Sequence, residues 1–281
     1  HRQKGRGRAI EVIGLTQHPG GRAQGGLQRA RSTARVAELL EQVTAEHLDG
    51  ATGIAHTRWA THGAPTERNA HPHFTDGVAV VHNGIIENFA ALKDELIAGG
   101  AKFETDTDTE VVAHLLSKFR RDGLGRREAM HAMLKRVTGA YALAVISLAE
   151  PERLVCARMG CPLLIGVGEG ENFIASDQMA LLPVTRRFIF LEEGDVAEVT
   201  RRDVHIFDTD GEAVVREELE SELSHDAGDK GEYRHYMLKE IYEQPKAITN
   251  TLEGRLGSDH VVVESFGNGA RAIFDKVEHV Q

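Results

Sequence analysis

The chain has 281 residues, of which 41% are hydrophobic, so it can bury a substantial core in one large domain or two smaller ones. Its 43 acidic residues outnumber the 33 basic ones and give a formal net charge of -10, which disfavours nonspecific binding to nucleic acid or to an anionic membrane. With only two cysteines and no apolar run of membrane-spanning length, the sequence predicts a cytoplasmic protein with a small-molecule ligand.

The first segment, residues 1–26, is rich in arginine and glycine and has little apolar periodicity, which is typical of disordered chain. A nucleic-acid-binding arm or an organellar transit peptide would also be basic, but the many Gly and Gln residues fit neither well. Apolar residues at helical spacing then predict a helix over residues 32–48, with Ser32 or Thr33 as its N-cap.

Strands are predicted at residues 52–60 and 77–88, the second interrupted at Asn83-Gly84, because this dipeptide strongly favours a tight turn. Three helices follow. Asn88 is the expected cap of the first, and Thr107 and Glu110 form a capping box at the start of the second. The third is predicted over residues 125–137 by its apolar repeat.

From Gly139 onwards, short β-rich segments joined by Gly, Asp and Pro turns predict a meander of antiparallel strands. The sequence GVGEG at residues 166–170 lacks the Lys and the following helix of a phosphate-binding loop, so it predicts a turn between strands. Strands, then helices, then strands, without alternating βαβ units, indicate an α+β fold in which sheets stack and helices cover them.

The polar residues 225–233 predict a linker. A helical pattern interrupted at Pro245 follows, and residues 234–281 are too few to form an independent core, so we expect them to be the start of a second domain.

Five histidines fall within residues 53–88, and two chemistries could use them. Imidazole is the commonest transition-metal ligand, so a metallohydrolase is one reading of the residue types. The spacing matches no recognised ligand motif, and a rigid loop explains the HPH triplet equally well. The histidines are His56, His62, His71, His73 and His82.

The other chemistry is recognition of an amino-acid amide. The side-chain amide of Asn83 and the backbone N–H of Gly84 can point at one developing oxyanion, as acyl transfer requires. A guanidinium with neighbouring donors can clamp a carboxylate, and a carboxylate at a helix start can hold an ammonium or simply cap the helix. The residues for these two roles are Arg58 with Thr61 and His62, and Asp108. Trp59 is either a pocket lid or a packing residue.

Seven motifs, in the same order along the chain, resemble the glutaminase half and interdomain linker of the glutamine:fructose-6-phosphate aminotransferase (isomerizing) family. They are GIAHTRWATHG, NAHPH, VVHNGIIEN, TDTEVVAH, GENFIASDQMALL, RRFIFLEEGD and DAGDKGEYRHYMLKEIYEQPKAI. The resemblance begins near Leu27, and we interpret residues 1–26 as an altered beginning. It implies a class II glutamine amidotransferase domain over residues 27–224, a linker over 225–233 and the truncated start of a sugar isomerase domain over 234–281.

The implied fold is that of the N-terminal-nucleophile hydrolases, a four-layer αββα sandwich. The implied reaction hydrolyses L-glutamine and passes ammonia to fructose 6-phosphate, which yields glucosamine 6-phosphate in the full-length family enzyme. No metal or cofactor is implied, and the family leaves room for a homodimer. Carried over by position, Arg58, Thr61 and His62 bind the glutamine carboxylate, Asp108 binds its ammonium, Asn83 and Gly84 form the oxyanion hole, and Trp59 gates the ammonia path.

The family nucleophile is an N-terminal cysteine, whose own α-amino group can serve as the general base. Residue 1 here is His, and the expectation for Cys156 and Cys161 is packing. We therefore expect this chain to lack glutaminase activity. A noncatalytic glutamine-binding remnant and, less favoured, a metallohydrolase remain the alternatives.

Overall fold

The structure is a computed structural model that describes residues 9–15 (backbone only), 26–33, 36–48, 50–58, 61–221, 233–252, 261, 263 and 270–277. The chain divides into two compact units, His1–Leu223 and Ser224–Gln281. The sequence predicts that the first domain ends at residue 224 and that the linker begins at residue 225. Among the described helices, none combines the length and apolar character needed to cross a bilayer.

The first unit contains four α-helices and fourteen strands among its described residues. The helices are α1 Val36–Ala45, α2 Phe89–Ala98, α3 Glu110–Arg121 and α4 Arg126–Leu134. The strands are β1 Ala9–Leu15, β2 Leu27–Ser32, β3 Thr52–Arg58, β4 His73–Thr75, β5 Val78–Ile86, β6 Gly139–Ser147, β7 Leu154–Met159, β8 Leu164–Val167, β9 Asn172–Ala175, β10 Arg187–Phe190, β11 Val196–Val199, β12 Val204–Phe207, β13 Ala213–Val214 and β14 Glu218–Glu220.

A seven-stranded antiparallel sheet forms the centre of this unit, in the order β13-β12-β11-β7-β6-β5-β4. Side chains alternate between its faces, as the pleat of a strand requires. On β6, Leu143 and Val145 pack against α2, α3 and α4, whereas Ala142 and Ala144 face a second layer of strands. The largest cluster of buried apolar side chains therefore lies between the sheet and the three helices.

Two smaller sheets form the second β layer, in the orders β2-β1-β3 and β14-β10-β8-β9. Ile54 of β3 and Ile165 of β8 pack toward the central sheet. On the opposite face of β2, Ala30 packs against Leu39 of α1. The order of layers is helices, sheet, sheets, helix, so the α+β expectation and its αββα arrangement are confirmed.

The sequence-based turn at Asn83-Gly84 is wrong, because β5 continues through both residues. Gly84 is paired with Tyr141 of β6 and has φ +118, a conformation that glycine adopts without strain. A Cβ built there would lie 2.0 Å from the carbonyl oxygen of Ala140. The Asn83-Gly84 dipeptide, which favours turns, therefore lies inside a strand here, at a point where a neighbouring backbone approaches closely.

The predicted capping box is also wrong, because α3 begins at Glu110 with Thr109 in the N-cap position. The Glu110 carboxylate instead accepts hydrogen bonds from the backbone N–H groups of Glu104 and Thr105, each at 2.7 Å. Asn88 does precede α2, but its side chain bonds the backbone of Arg136 and Thr138 rather than capping the helix. Asn88 thereby joins segments 48 and 50 positions apart, whereas Glu110 binds the turn just before its own helix.

Two further expectations differ from the structure. Residues 9–15, expected to be disordered, form β1 between β2 and β3, because AIEVIGL is rich in the β-branched residues that strands favour. The rest of 1–26, apart from Gly26, lies outside the described residues. The strands after Gly139 divide between two sheets and do not form one meander.

The second unit contains α5 Tyr236–Leu252 and α6 Ala270–Phe274 among its described residues. The sequence predicts an interruption at Pro245, but α5 continues through it. The Thr249 hydroxyl donates to the Pro245 carbonyl at 2.9 Å. The predicted linker 225–233 lies outside the described residues except for Tyr233.

Candidate functional site

A polar pocket of about 260 Å³ lies where β3, β5 and the segment before α3 meet, and we call it the Asp108 pocket. It brings together residues from three stretches that are far apart in the sequence. Its lining consists of His56, Thr57, Arg58, Thr61, His71, His82, Asn83, Gly84, Ile85, Thr107, Asp108 and Thr109. Five of the seven sequence-based site residues are therefore in one lining.

Asp108 supplies a buried carboxylate to this pocket, with only 4% of the residue exposed. Its Oδ2 accepts a hydrogen bond from the backbone N–H of Ile86 at 2.8 Å. Its Oδ1 lies 3.8 Å from Nδ1 of His62, which contacts the carboxylate without being part of the lining. A buried carboxylate needs donors or a cationic partner, so this position suits a ligand ammonium.

The two threonines beside Asp108 hold three buried histidines, of which His71 and His82 also line the pocket. The Thr109 hydroxyl is hydrogen-bonded to Nε2 of His71 at 3.2 Å and to Nδ1 of His82 at 3.0 Å. The Thr107 hydroxyl is hydrogen-bonded to Nε2 of His73 at 3.0 Å. These contacts fix the Thr-Asp-Thr segment against β4 and β5, and the carboxylate between the threonines is thereby oriented.

Burial keeps these histidines neutral at physiological pH. It lowers the pKa of His73 to about 3 and that of His82 to about 4, although the nearby Asp108 carboxylate partly opposes the shift at His82. Burial also lowers the pKa of His71 and His56, and the charge of Arg58 adds to both shifts. The cluster therefore presents hydrogen-bonding rings and not cations to the pocket.

The same rings contact one another in tilted and edge-to-face pairs. The centroids of His56 and His71 lie 4.1 Å apart, and those of His71 and His73 lie 4.9 Å apart. Within the described part of the chain, no three His, Cys, Asp or Glu side chains form a group that could hold a metal ion. Nothing in this arrangement favours the metallohydrolase reading.

Asn83 and Gly84 lie next to each other at the far end of β5, on the wall of the pocket. Oδ1 of Asn83 is hydrogen-bonded to Nε2 of His56 at 2.8 Å. In the tautomer that carries its proton on Nε2, neutral His56 donates this bond and leaves the amide nitrogen of Asn83 as the outward-facing donor. The sequence alone did not assign this orienting role to His56.

Arg58 ends β3 and is buried, with its guanidinium bonded to the loop that follows. Nη1 donates to the carbonyl of Ala64 at 3.2 Å, and Nη2 donates to the carbonyls of His62 and Gly63. The loop is thus wrapped around a positive charge at the pocket wall, and Thr61 lies in the same lining. Trp59, expected to gate an ammonia path, lies outside the described residues.

Neither cysteine lines the Asp108 pocket. Cys156 is buried in β7, and burial raises the pKa of its thiol to about 12. Cys161 is partly buried, which also raises its thiol pKa. Neither thiol is ionised near neutral pH, so neither is an activated nucleophile.

In a comparison with known protein families, residues 56–183 match the family described as glutamine amidotransferase domain. These residues include the whole lining of the Asp108 pocket. The Yersinia pseudotuberculosis glutamine–fructose-6-phosphate aminotransferase [isomerizing] is 54% identical over 259 residues, which are 92% of this chain. The Vibrio cholerae protein of the same name is 57% identical over 255 residues, or 91% of this chain. The chain spans 42% of the length of each relative.

Solved structures share the fold at low sequence identity. The glutamine phosphoribosylpyrophosphate amidotransferase from B. subtilis, complexed with ADP and GMP, is 23% identical with a TM-score of 0.59, covering 73% of this chain and 44% of that one. A structure described as the allosteric regulatory enzyme of purine biosynthesis is 22% identical with a TM-score of 0.61, covering 72% and 43%. The chain therefore contains a glutamine amidotransferase domain, homologous to the glutaminase part of the glutamine–fructose-6-phosphate aminotransferases.

Proposed function

We propose that the Asp108 pocket binds L-glutamine through its α-ammonium, its α-carboxylate and its side-chain amide. The observation that carries this proposal is the buried Asp108 carboxylate, which shares one small pocket with Asn83 and Gly84. An amino acid brings the ammonium that this carboxylate lacks, and its amide carbonyl then extends toward the donors at the end of β5. Burial of the carboxylate strengthens the attraction, because the local dielectric is low.

The α-carboxylate belongs, in this proposal, on the side of Arg58. The guanidinium supplies positive charge there while it holds the loop at residues 62–64. We assign Thr61 and His62, which lie at the start of that loop, to the carboxylate site as well, and the His62 ring also lies 3.8 Å from the Asp108 carboxylate. The α-ammonium and α-carboxylate are attached to one carbon, so Asp108 and Arg58 together would hold that end of glutamine and direct its side chain toward Asn83 and Gly84.

The chemical step assigned to the pocket is stabilisation of an oxyanion. The Asn83 amide nitrogen, oriented by His56, and the Gly84 N–H would donate to the oxygen of the glutamine side chain as it gains charge. Removal of one such donor typically slows an acyl transfer by about 100-fold to 1,000-fold. The attacking thiol is a separate requirement, and neither Cys156 nor Cys161 lies in the lining.

We therefore propose that residues 1–281 bind glutamine without turning it over. Supplied with a nucleophile in a longer protein, the domain would release ammonia for transfer to fructose 6-phosphate, the sugar in the names of its relatives. Both cysteines are unpaired, which supports the cytoplasmic location expected from the sequence.

Isothermal titration calorimetry with L-glutamine tests the proposal. The wild-type chain should bind, and Asp108→Asn should bind at least ten-fold more weakly, because the neutral amide still accepts from Ile86 but no longer attracts an ammonium. Asp94→Asn, on the exposed surface of α2, is the matched control and should bind like the wild type. Absence of binding by folded wild-type protein, or equal binding by Asp108→Asn, would contradict the proposal.

A coupled assay for glutamate release then examines turnover. We expect none above the buffer rate from residues 1–281. Release that continues at a steady rate would show that a group in this chain acts as the nucleophile, and it would refute the assignment of binding without hydrolysis.

A further inference from the structure

One buried asparagine outside the pocket lining connects the two segments that carry the charged groups of the proposed site. Asn69 is the last residue of the short 3₁₀-helix Glu67–Asn69, and only 1% of it is exposed. It does not line the Asp108 pocket, and none of the roles assigned above involves it. A buried amide is costly unless its polar atoms are paired, so the partners of Asn69 indicate what it does.

The two ends of this amide bind two different segments. Its Oδ1 accepts a hydrogen bond from the backbone N–H of Asp106 at 3.0 Å. Its Nδ2 donates to the carbonyl of Ala64 at 3.1 Å and to Oδ2 of Asp106 at 3.4 Å. Ala64 belongs to the loop that follows β3, and Asp106 lies just before the Thr-Asp-Thr segment of the pocket. One side chain thus joins the loop to that segment.

The Ala64 carbonyl is shared with Arg58. Nη1 of Arg58 donates to the same oxygen at 3.2 Å. A continuous chain of hydrogen bonds therefore runs from the guanidinium through the Ala64 carbonyl and the Asn69 amide to the backbone of Asp106. Asn69 thereby links the position of the Arg58 charge to that of the Asp108 charge.

The loop packs closely on the Asn69 amide. Gly63 has φ +73, and a Cβ built there would lie 2.7 Å from Nδ2 of Asn69 and 3.2 Å from Cβ of Asp106. The backbone N–H of Asn69 donates to the Thr66 carbonyl at 3.1 Å, which holds the residue within its own turn. The loop therefore cannot move toward Asp106 without displacing Asn69.

An amino acid carries its α-ammonium and α-carboxylate on one carbon, so the groups that bind them need a fixed separation. Binding groups must be held to within about 0.5 Å by the residues that support them. We propose that Asn69 is a positioning residue that sets the separation of Arg58 and Asp108, so that one amino acid can bind both. This inference rests on the proposed glutamine site, and Asn69 acts there through its hydrogen bonds to the two segments.

Asn69→Leu tests the inference, because it keeps the branched outline and the neutral charge of the side chain but removes its hydrogen bonds. Isothermal titration calorimetry should show L-glutamine binding roughly ten-fold more weakly, or worse, than to the wild type. Asn88→Leu is the matched control. Asn88 also joins two segments, through the Arg136 carbonyl at 2.8 Å and the Thr138 N–H at 2.9 Å, but it does not line the pocket. Its variant should lose stability in urea and still bind L-glutamine like the wild type.

Glutaramate, which is L-glutamine without its α-ammonium, distinguishes positioning from a general weakening of the fold. NMR chemical-shift titration measures the Kd of both ligands. The wild type should bind L-glutamine roughly ten-fold or more tightly than glutaramate, because Asp108 attracts the ammonium. In Asn69→Leu this ratio should fall roughly three-fold or more, because a carboxylate at Arg58 no longer places the ammonium at Asp108. A loosened fold would weaken both ligands equally and leave the ratio unchanged.

Gly63→Ala provides a second variant if Asn69→Leu does not fold. Its Cβ would push the exposed loop away from Asn69, so L-glutamine should bind roughly three-fold or more weakly and the same ratio should fall. Gly100→Ala, at φ +92 with no atom within 4 Å of its built Cβ, should change neither. Glutamine binding by the wild type with an unchanged ratio in the folded variant would overturn this inference alone. Absence of glutamine binding by the wild type would overturn the proposed function as well.

Discussion

At the scale of single residues, Gly84 gives the sharpest prediction. Gly84→Ala places a Cβ 2.0 Å from the Ala140 carbonyl at φ +118, so both a clash and backbone strain oppose folding. We expect a loss of about 3 kcal/mol in the free energy of unfolding, measured by urea denaturation.

Gly100→Ala is the control, because Gly100 has φ +92 but no atom lies within 4 Å of its built Cβ. This variant should lose only about 1 kcal/mol through backbone strain. Equal losses in the two variants would mean that the close approach of Ala140 does not limit position 84.

The sequence predicted which residues belong to the site better than it predicted the contacts that those residues make. Arg58, Thr61, Asn83, Gly84 and Asp108 were named from the sequence, and all five line one pocket. The contacts of Thr109 were missed, because its hydroxyl meets histidines 27 and 38 positions away. The repeated Thr-x-Thr around Asp108 was the available signal, but spacing alone does not show which partners those hydroxyls find.

At the scale of elements, the start of α3 depends on Glu110. Its carboxylate accepts from two backbone N–H groups and from the Thr105 hydroxyl at 2.6 Å. Glu110→Gln replaces one acceptor oxygen with an NH₂ group that faces those donors. We expect a loss of about 2 kcal/mol in the free energy of unfolding, again from urea denaturation.

Glu128→Gln is the matched variant in the first turn of α4, where the side chain is exposed. Its exposed carboxylate accepts hydrogen bonds from the Arg127 side chain and from its own backbone N–H, so little change in stability is expected. A similar loss in both variants would point to a general effect of charge near a helix start.

The main elements could be predicted because their patterns are local. The apolar repeat of α2 and the Gly99 that ends it are visible without any partner. The capping box failed because Glu110 found donors at residues 104 and 105 rather than at the cap. β14 was not predicted, since its three exposed residues carry no apolar alternation and depend on pairing with β10.

At the scale of the whole molecule, the buried histidines make stability depend on pH. Their pKa values are lower in the folded chain than the ordinary value of 6.5, so the folded state binds fewer protons than the unfolded one below that pH. Their stabilising contribution is complete above pH 6.5 and is lost as the pH falls toward the folded values of about 3 for His73 and about 4 for His82.

We therefore expect the free energy of unfolding to fall between pH 6.5 and pH 4.5. Each strongly shifted histidine should cost on the order of 1 kcal/mol per pH unit, measured by urea unfolding at pH 7.0, 6.0 and 5.0. Below about pH 4.5 Glu110 adds to the loss: burial raises its pKa, but the hydrogen bonds to its carboxylate outweigh burial and lower that pKa to about 2. Constant stability from pH 7.0 to 5.0 would show that the histidines are not buried in the folded state.

The division of strands between layers could not be predicted from local pattern. β8 and β9 alternate with strands of the central sheet along the chain, and nothing in a four-residue apolar run specifies which sheet it joins. Pairings such as β5 with β6 join segments about 60 positions apart, and the intervening helices decide them. The overall α+β class followed from element order, whereas the layer membership of each strand did not.

The continuity of β5 has one more consequence. Its first residues pack against the helices on one face and against the second β layer on the other. Its later residues include Asn83 and Gly84, which line the pocket. The donors for a ligand are thus mounted on an element that the interior already immobilises. Preorganisation of this kind lowers the entropy lost on binding, because the packing that fixes these donors is already complete once the domain has folded.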